Sequence, residues 1–382
     1  MRSVTVIGGG PAGSKAAALL AEEHDVLVIE EHDVSGRPVQ CTGLVSGEVI
    51  TSSGVKPTVL SELYGAKIFF PNGKSIETRS KERKAVLIDR YELDTLMADK
   101  AKDAGAEYAY SERFLSHRTD GSVSVTTDRR VLETKMLIGA DGQNSKLASS
   151  IENNGPAEYV NGMQYDIRHR ADDQDMVNIH IGSAAAPGFF SWEIPFGDMT
   201  RVGLCVSPGH GTPAEYLKSM MKRTGLDGKR IDAAYCGRIP LGGRRRTYAD
   251  NLLLIGDAAG QVKPISGGGL QPAFRSAYAL AETVNEAFSK GRYDASFLSV
   301  YEKRWKRDTG KELGRGYRLR RMFTSMSDAE LNKMADIAEN RSIKDILSRG
   351  DIDHPSDLVL PIMMHPVAML RLMPLIFKAM VR

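Results

Sequence analysis

The chain has 382 residues, 42% hydrophobic and 26% charged, a composition typical of a folded protein with two or three domains. Its net charge of +3 is too small to indicate nucleic acid as a partner, and no apolar run reaches the roughly 18 residues of a membrane-spanning helix. Cys41, Cys205 and Cys236 are far apart and the histidines form no cluster, so we expect reduced thiols, no metal site and a cytoplasmic protein without a signal peptide.

The first thirty residues are predicted to form a strand, a glycine loop, a helix and a second strand. Apolar runs at 4–7 and 26–29 are the strands, and Gly8, Gly10 and Gly13 between them fit the pattern G-x-G-x-x-G. In this pattern the first glycine permits a tight turn, the second lets the backbone approach a pyrophosphate, and the third lets helix and strand pack closely. The helix N-terminus attracts the phosphates, so the segment predicts a dinucleotide site.

Two further residues belong to this predicted site. Ala12 lies in the glycine loop, and Glu30 ends the second strand, where its carboxylate can accept hydrogen bonds from the ribose hydroxyls of adenosine. The motif alone does not separate NAD from FAD.

A long polar loop follows the second strand, over residues 31–47, and a loop of this length suggests contact with the ligand. It contains Cys41, Thr42 and Gly43. Cys41 has two interpretations, either a small buried thiol that only packs or a residue at the reacting face of the cofactor.

The next elements are a hairpin, a strand and a helix. Residues 66–70 and 75–78 flank the turn sequence P-N-G-K, and a short strand is predicted at 85–88. A helix over 91–104 follows, opened by Arg90, which is interpreted either as a cofactor contact or as one half of a surface salt bridge.

An acid ends another predicted strand in the sequence G-A-D-G, at residues 139–142, the edge of an open α/β sheet at which ligands bind. From residue 155 to about 206 strands alternate with turns, which predicts an antiparallel sheet in a second domain. In one of these strands Phe190, Trp192 and Ile194 would share an aromatic face, either as ordinary core or as the wall of a site.

The pattern of the first segment returns near residue 251, where a buried strand ends in G-D-A-A. Asp257 is its acid, and a glycine turn at 267–269 precedes a long helix reaching about residue 287. Because both ends of the chain supply a turn from strand to helix, we expect one sheet to bind an extended ligand with both turns.

The remaining residues are predicted to be mainly helical. Residues 302–321 hold nine Lys or Arg and three acids, which indicates either solvated helix faces or a platform for phosphate or an anionic membrane. The segment 358–382 is apolar but contains three prolines, so short helices forming a lid or a membrane contact are expected there.

These motifs together resemble those of FAD-containing flavoproteins of the para-hydroxybenzoate hydroxylase type, over about the first 290 residues, and the resemblance selects FAD over NAD. It implies that Asp257 binds the ribityl chain and that the turn with Gly268, Gly269 and Leu270 lies against the flavin pyrimidine. It further implies an α/β fold with three parts. These are a discontinuous Rossmann-like FAD-binding domain at 1–65, 85–150 and 236–293, an inserted antiparallel-sheet (α+β) substrate domain at 66–84 and 151–235, and a C-terminal helical region at 294–382.

Within that class the sequence resembles the archaeal geranylgeranyl reductases, the digeranylgeranylglycerophospholipid reductase family. The resemblance rests on the cysteine loop P-V-Q-C at 38–41, on the nonapeptide at 187–195 and on G-D-A-A-G followed by the triple glycine. Arg90 matches an FAD-contacting arginine, and Cys41, Thr42 and Gly43 match the loop at the flavin. The nonapeptide departs from P-x-x-Y-x-W-x-F-P at Phe190 and Ile194, so no tyrosine hydroxyl is available there.

The resemblance implies reduction of isolated C=C bonds in geranylgeranyl chains, by hydride transfer from flavin N5 together with a proton. Cys41, Trp192 and Phe190 are the candidate catalytic residues, and Tyr165 is expected to join the two aromatic residues as a wall for the substrate. The expected partners are a prenyl lipid, an electron donor (ferredoxin or NAD(P)H) and a peripheral membrane contact.

Other functions stay open at this point. The sequence F-x-W-x-I-P is close to the W-x-W-x-I-P of flavin-dependent halogenases, although its first tryptophan is absent and we find no clear counterpart of their active-site lysine. An aromatic hydroxylase is a further alternative, and a flavin-containing binding protein without turnover is another.

Overall fold

The computed structural model describes residues 1–365, and within them the strands form three sheets. Strands and helices are numbered separately in chain order. Residues 366–382, which make up most of the apolar C-terminal segment predicted to form a lid or a membrane contact, lie outside the described residues.

The first sheet has eight strands around a parallel centre. The parallel part runs in the order β18-β11-β1-β2-β8, and β17 pairs antiparallel with β18 at one edge. Strand β10 pairs antiparallel with β11, and β9 pairs antiparallel with β10. The strands are β1 (Arg2–Ile7), β2 (Val26–Ile29), β8 (Glu107–Ala109), β9 (Phe114–Asp120), β10 (Ser122–Thr127), β11 (Val131–Gly139), β17 (Tyr248–Ala249) and β18 (Leu252–Leu254). Chain segments 240 residues apart therefore join one sheet, and this prediction is confirmed.

The second sheet has seven strands in the order β16-β12-β15-β14-β13-β5-β6. They are β5 (Gly65–Phe69), β6 (Ser75–Arg79), β12 (Glu158–Arg168), β13 (Met176–Ile181), β14 (Phe190–Phe196), β15 (Met199–Val206) and β16 (Ile231–Leu241). The predicted hairpin is confirmed as β5 and β6. The sheet is mixed and not purely antiparallel, because β5 pairs in parallel with β13 after a long crossover through the first sheet.

A third, small antiparallel sheet is made of β3 (Leu44–Val45), β7 (Ala85–Ile88) and β4 (Val59–Leu63). It follows the polar loop that carries Cys41. The domain boundaries stay a prediction, and the strand β16 runs across the predicted boundary at residue 236.

The helices cover both sheets. They are α1 (Pro11–Leu20), α2 (Gly47–Ser53), α3 (Arg90–Asp103), α4 (Lys146–Ser150), α5 (Pro213–Arg223), α6 (Leu270–Lys290), α7 (Ala295–Trp305), α8 (Lys311–Thr324), α9 (Asp328–Ala338), α10 (Arg341–Ser348) and α11 (Val359–Met364). A π-helical turn, Lys306–Gly310, joins α7 to α8. Helix α1 packs against α3 and α6 over the parallel strands, and α5 covers one face of the second sheet.

Sequence features explain where these helices begin. Asp89 caps α3 by accepting from the backbone N–H of Glu92, and Thr212 caps α5 in a reciprocal capping box with Glu215. Helix α1 begins at Pro11, within the glycine motif, so Ala12 and Gly13 lie in its first turn and its free N–H groups lie at the carboxyl edge of the parallel strands.

Candidate active site

A cavity of about 500 Å³ separates the glycine loop of the first sheet from one face of the second. The glycine loop, the cysteine loop, the G-D-A-A turn and the glycine turn before α6 all contribute to its walls. Its opposite wall is apolar and consists of Val177, Ile179, Phe189, Phe190, Trp192 and Ile194.

The glycine loop has the shape that a pyrophosphate requires. Gly8 has φ +103°, and a Cβ at Gly13 would lie 2.0 Å from the Gly8 carbonyl oxygen. In contrast, a Cβ at Gly10 would meet no atom within 4 Å, so open space lies in front of the N-terminus of α1. The tight packing of Gly13 against Gly8 and the open space beside Gly10 together fit a dinucleotide phosphate.

Glu30 is fixed against this loop. Its carboxylate accepts from the backbone N–H of Gly9 at 2.7 Å and from Nδ1 of His32 at 2.6 Å, and the residue is only 8% exposed. Oε1 also accepts from the backbone N–H of His32 at 3.0 Å, so Oε2 is the oxygen that keeps a lone pair for the ribose contact expected from the sequence.

Asp257 lies in the short 3-10 turn after β18 and lines the cavity. Burial raises the pKa of its carboxyl to about 6, although the positive charges of Arg90 and Arg244 act in the opposite direction. Its Oδ1 would lie 2.9 Å from a Cβ at Gly269, so the acid and the glycine turn are close neighbours.

Cys41 lines the cavity and is partly exposed, so it is not a thiol that only packs in the core. Its Sγ accepts from the backbone N–H of Gly43 at 3.4 Å. Arg90 is 8% exposed and pairs with Asp94 at 2.6 Å, which corrects the interpretation of Arg90 as a surface residue. Burial lowers the pKa of the Arg90 guanidinium, but Asp94 and Cys41 outweigh burial and the pKa is raised.

Sequence reasoning missed two residues that hold the cysteine loop. Gln164 accepts from the hydroxyl of Thr42 at 2.9 Å and donates to the Cys41 carbonyl at 3.3 Å. Arg201 donates to the Thr42 carbonyl and pairs with Asp166 at 2.7 Å. The only sequence signal for these two residues is the alternation of side chains in strands β12 and β15. That alternation does not predict that they contact the cysteine loop.

The aromatic face predicted for β14 is present and turns toward the cavity. Phe190 stacks on Phe189 with ring centroids 4.4 Å apart, and Trp192 meets Phe190 edge-on at 5.9 Å. Tyr165 is not part of this wall. It lies on β12 next to Gln164, and because neighbouring side chains in a strand point to opposite faces, it packs with the cluster under α5.

A buried lysine, Lys263, lies shortly before the glycine turn, and the sequence predicts no role for it. Lys263 pairs with Asp353 at 2.5 Å, and both residues line the cavity together with Ile352. Because the two residues are 90 positions apart in the chain, no local sequence pattern predicts the pairing.

Comparison with known proteins agrees with this geometry. The family model described as an FAD binding domain matches residues 1–220, more than half of the chain. The digeranylgeranylglycerophospholipid reductase 2 of Methanothermobacter thermautotrophicus is 34% identical over 93% of this chain and 97% of its own length. The chain belongs to the digeranylgeranylglycerophospholipid reductase family. The cofactor is FAD, in agreement with the glycine cradle and the buried Asp257.

Solved structures share the fold of this family member. A geranylgeranyl bacteriochlorophyll reductase-like protein from Thermoplasma acidophilum has a TM-score of 0.84 at 24% identity, covering 98% of this chain and 99% of that one. A halogenase in complex with FAD has a TM-score of 0.67 at 16% identity, covering 100% and 96% of the two chains. At these identities both show the fold alone. In the part of the chain that the structure describes, no helix is long and apolar enough to cross a membrane.

Proposed function

We propose that this protein is an FAD-dependent reductase that saturates isolated C=C bonds of geranylgeranyl chains in prenyl glycerophospholipids. The observation that carries the proposal is the position of the apolar aromatic wall, which faces the FAD-binding turns and Cys41 across one cavity. A wall of this kind suits an alkyl chain, and the family relatives carry the name of this reaction.

The chain supplies distinct groups for holding FAD. Gly8, Gly10, Ala12 and Gly13 would form the pyrophosphate cradle, and Glu30 would bind the adenosine ribose. Asp257 would bind the ribityl chain, and the turn Gly268, Gly269 and Leu270 would lie against the flavin pyrimidine. Arg90, Cys41 and Thr42, which line the cavity, would contact the flavin together with Gly43, which does not line it but donates its backbone N–H to the Cys41 Sγ. Reduced FAD supplies the hydride.

The protein must supply a proton and stabilise positive charge, because an isolated alkene has no carbonyl to accept a hydride. Cys41, which lies in the cysteine loop and lines the cavity, would donate the proton. Trp192 and Phe190 would attract developing positive charge through their ring faces, a cation–π effect of about 0.5–2 kcal/mol. The apolar wall would exclude water from the reacting carbons.

The partners of the reaction follow from the proposed substrate. An electron donor must reduce FAD, and ferredoxin and NAD(P)H are both compatible with the sequence. Reaching a membrane lipid requires a peripheral contact with the cytoplasmic membrane face, and the segment 358–382 is the candidate. Four of the nine basic residues at 302–321 pair with acids of the protein, which leaves fewer free cations there for a phosphate or an anionic membrane: Arg304, Lys306, Arg315 and Arg320.

Parallel assays separate the proposed function from its alternatives. Reduced protein is incubated without oxygen with digeranylgeranylglyceryl phosphate, and in air with chloride and an aromatic acceptor. A saturated lipid in the first assay and an unchanged aromatic in the second support the reductase. A chlorinated or hydroxylated aromatic with an unchanged lipid would instead assign a halogenase or hydroxylase, and no product in either assay would leave a binding protein.

A further inference from the structure

A second cavity, of about 530 Å³ and wide open to solvent, adjoins the first. The two share parts of their walls, namely Gly162, Met163, Cys236, Gly237 and Arg238. The other residues of the second cavity are mostly polar and uncharged, and include Gln143, Asn144, Asn161 and Thr212. No Asp or Glu lines it among the described residues, although Asp94, Asp257 and Asp353 line the first cavity.

Arg238 lies at the boundary of the two cavities, on β16. It is exposed, its Nε donates to Oδ1 of Asn161 at 3.2 Å, and its guanidinium lies 5.1 Å from the ring centroid of Tyr159. Both partners are uncharged. Within residues 1–365 no carboxylate lies within ion-pair distance of it, whereas Arg201, on β15 of the same sheet, pairs with Asp166.

We propose that Arg238 and the second cavity bind the phosphate headgroup of an amphiphilic substrate whose hydrocarbon chain occupies the first cavity; this inference rests on the proposed function. A phosphate needs a cation with free N–H donors next to hydrogen-bonding side chains. The two terminal nitrogens of Arg238, with Asn144 and Asn161, provide both. The apolar wall belongs to the first cavity, which adjoins the second. One amphiphilic molecule can therefore place its hydrocarbon chain in the first cavity and its phosphate in the second.

Other occupants of the second cavity fit less well. The glycine loop lines the first cavity and not the second, so the FAD pyrophosphate is not the anion in question. The N-terminus of α5 is already capped, because the Thr212 hydroxyl accepts from the backbone N–H of Glu215 at 3.3 Å and the Glu215 carboxylate accepts from the backbone N–H of Thr212 at 2.9 Å. The anion site therefore depends on the arginine.

The test compares two lipids that differ only in the headgroup. Wild-type protein, Arg238→Gln and Arg238→Lys are loaded with FAD, reduced with dithionite, and assayed with digeranylgeranylglyceryl phosphate and with digeranylgeranylglycerol. We expect Arg238→Gln to raise KM roughly tenfold for the phosphate lipid and to leave KM for the alcohol unchanged, with partial recovery in Arg238→Lys. Arg170→Gln, which removes an exposed arginine paired with Asp198, is the matched control and should alter neither value.

Several results would overturn the assignment. An equal rise of KM for both lipids, an unchanged KM for the phosphate lipid, or loss of bound FAD in Arg238→Gln would each contradict it. Stimulation of the alcohol assay by inorganic phosphate through Arg238 would assign the site to a free anion. Should wild-type protein reduce neither lipid, the proposed function itself fails, a result distinct from any difference between variants.

Discussion

Gly203 lies directly opposite Trp192 on neighbouring strands, and a Cβ at Gly203 would come within 2.6 Å of Cζ2 of the indole. The glycine therefore leaves the space in which the indole lies against the sheet. Trp192 is 9% exposed and forms part of the cavity wall. The orientation of the aromatic wall thus depends on a residue without a side chain.

Replacing Gly203 with Ala should turn the indole and lower lipid turnover about 10- to 100-fold, because small displacements of positioning groups cost rate steeply. A Cβ at Gly203 would also come within 2.6 Å of Cβ of Gln164, so FAD content is measured in parallel to detect any displacement of the cysteine loop. In a Trp305→Phe background Trp192 is the sole tryptophan, so its emission should shift in Gly203→Ala. The control is Gly155→Ala, where a Cβ meets no atom within 4 Å. Unchanged emission and turnover would show that the wall tolerates the methyl group.

Arg320 of α8 positions the loop before the aromatic strand. It is 3% exposed, donates to the Gly188 carbonyl at 2.9 Å and pairs with Glu158 at 2.8 Å. Arg320→Gln should lower the free energy of unfolding by roughly 3 kcal/mol and reduce turnover, because Gly188 precedes the stacked phenylalanines. Chemical denaturation measures the loss, and the exposed Arg318→Gln serves as the control. Equal stability of the two variants would remove this role.

Asp257 should make the stability of the apoprotein depend on pH. Since its folded pKa of about 6 exceeds the unfolded value, stability is lost as pH rises through the window from about 4 to 6, by up to about 3 kcal/mol. Asp257→Asn should not show this loss, so its advantage over wild type grows with pH. Denaturation at several pH values measures the difference, with the exposed Asp120→Asn as control. A difference that is constant with pH would contradict the raised pKa.

Cys41 should be needed for protonation and not for binding FAD. We expect Cys41→Ala to lower turnover by about 100-fold, the usual scale of a lost general acid, with flavin absorbance retained. Cys236→Ala removes the other solvent-accessible thiol that lines the cavity, and turnover close to wild type in this variant would show that the loss is specific to Cys41. If Cys41→Ala turned over like wild type, the proton would have to come from another group.

The local elements of this fold follow from the sequence. The run at 26–29 is a buried strand within the predicted bounds, and α1 follows β1 through the glycine motif as expected, because strand and turn signals act over a few residues. The shared face of Phe190, Trp192 and Ile194 also follows from alternation alone.

Long-range pairing explains what the sequence did not predict. Lys263 meets Asp353, and Arg201 meets Thr42, across chain separations that no local pattern encodes. The aromatic side chain of Tyr165 predicts a place in the substrate wall, whereas its position in β12 decides which face of the sheet it occupies. The parallel pairing of β5 with β13 likewise depends on how the whole chain crosses between sheets.

The most direct test of the central claim is a single-turnover experiment without oxygen. The FAD-loaded protein is reduced with dithionite and excess reductant is removed. Digeranylgeranylglyceryl phosphate is then added, while flavin absorbance and lipid mass are followed together. We predict that the yellow colour returns and that the lipid gains two hydrogens for each flavin reoxidised. A flavin that stays reduced beside a lipid of unchanged mass would contradict the assignment of this protein as a prenyl-lipid reductase.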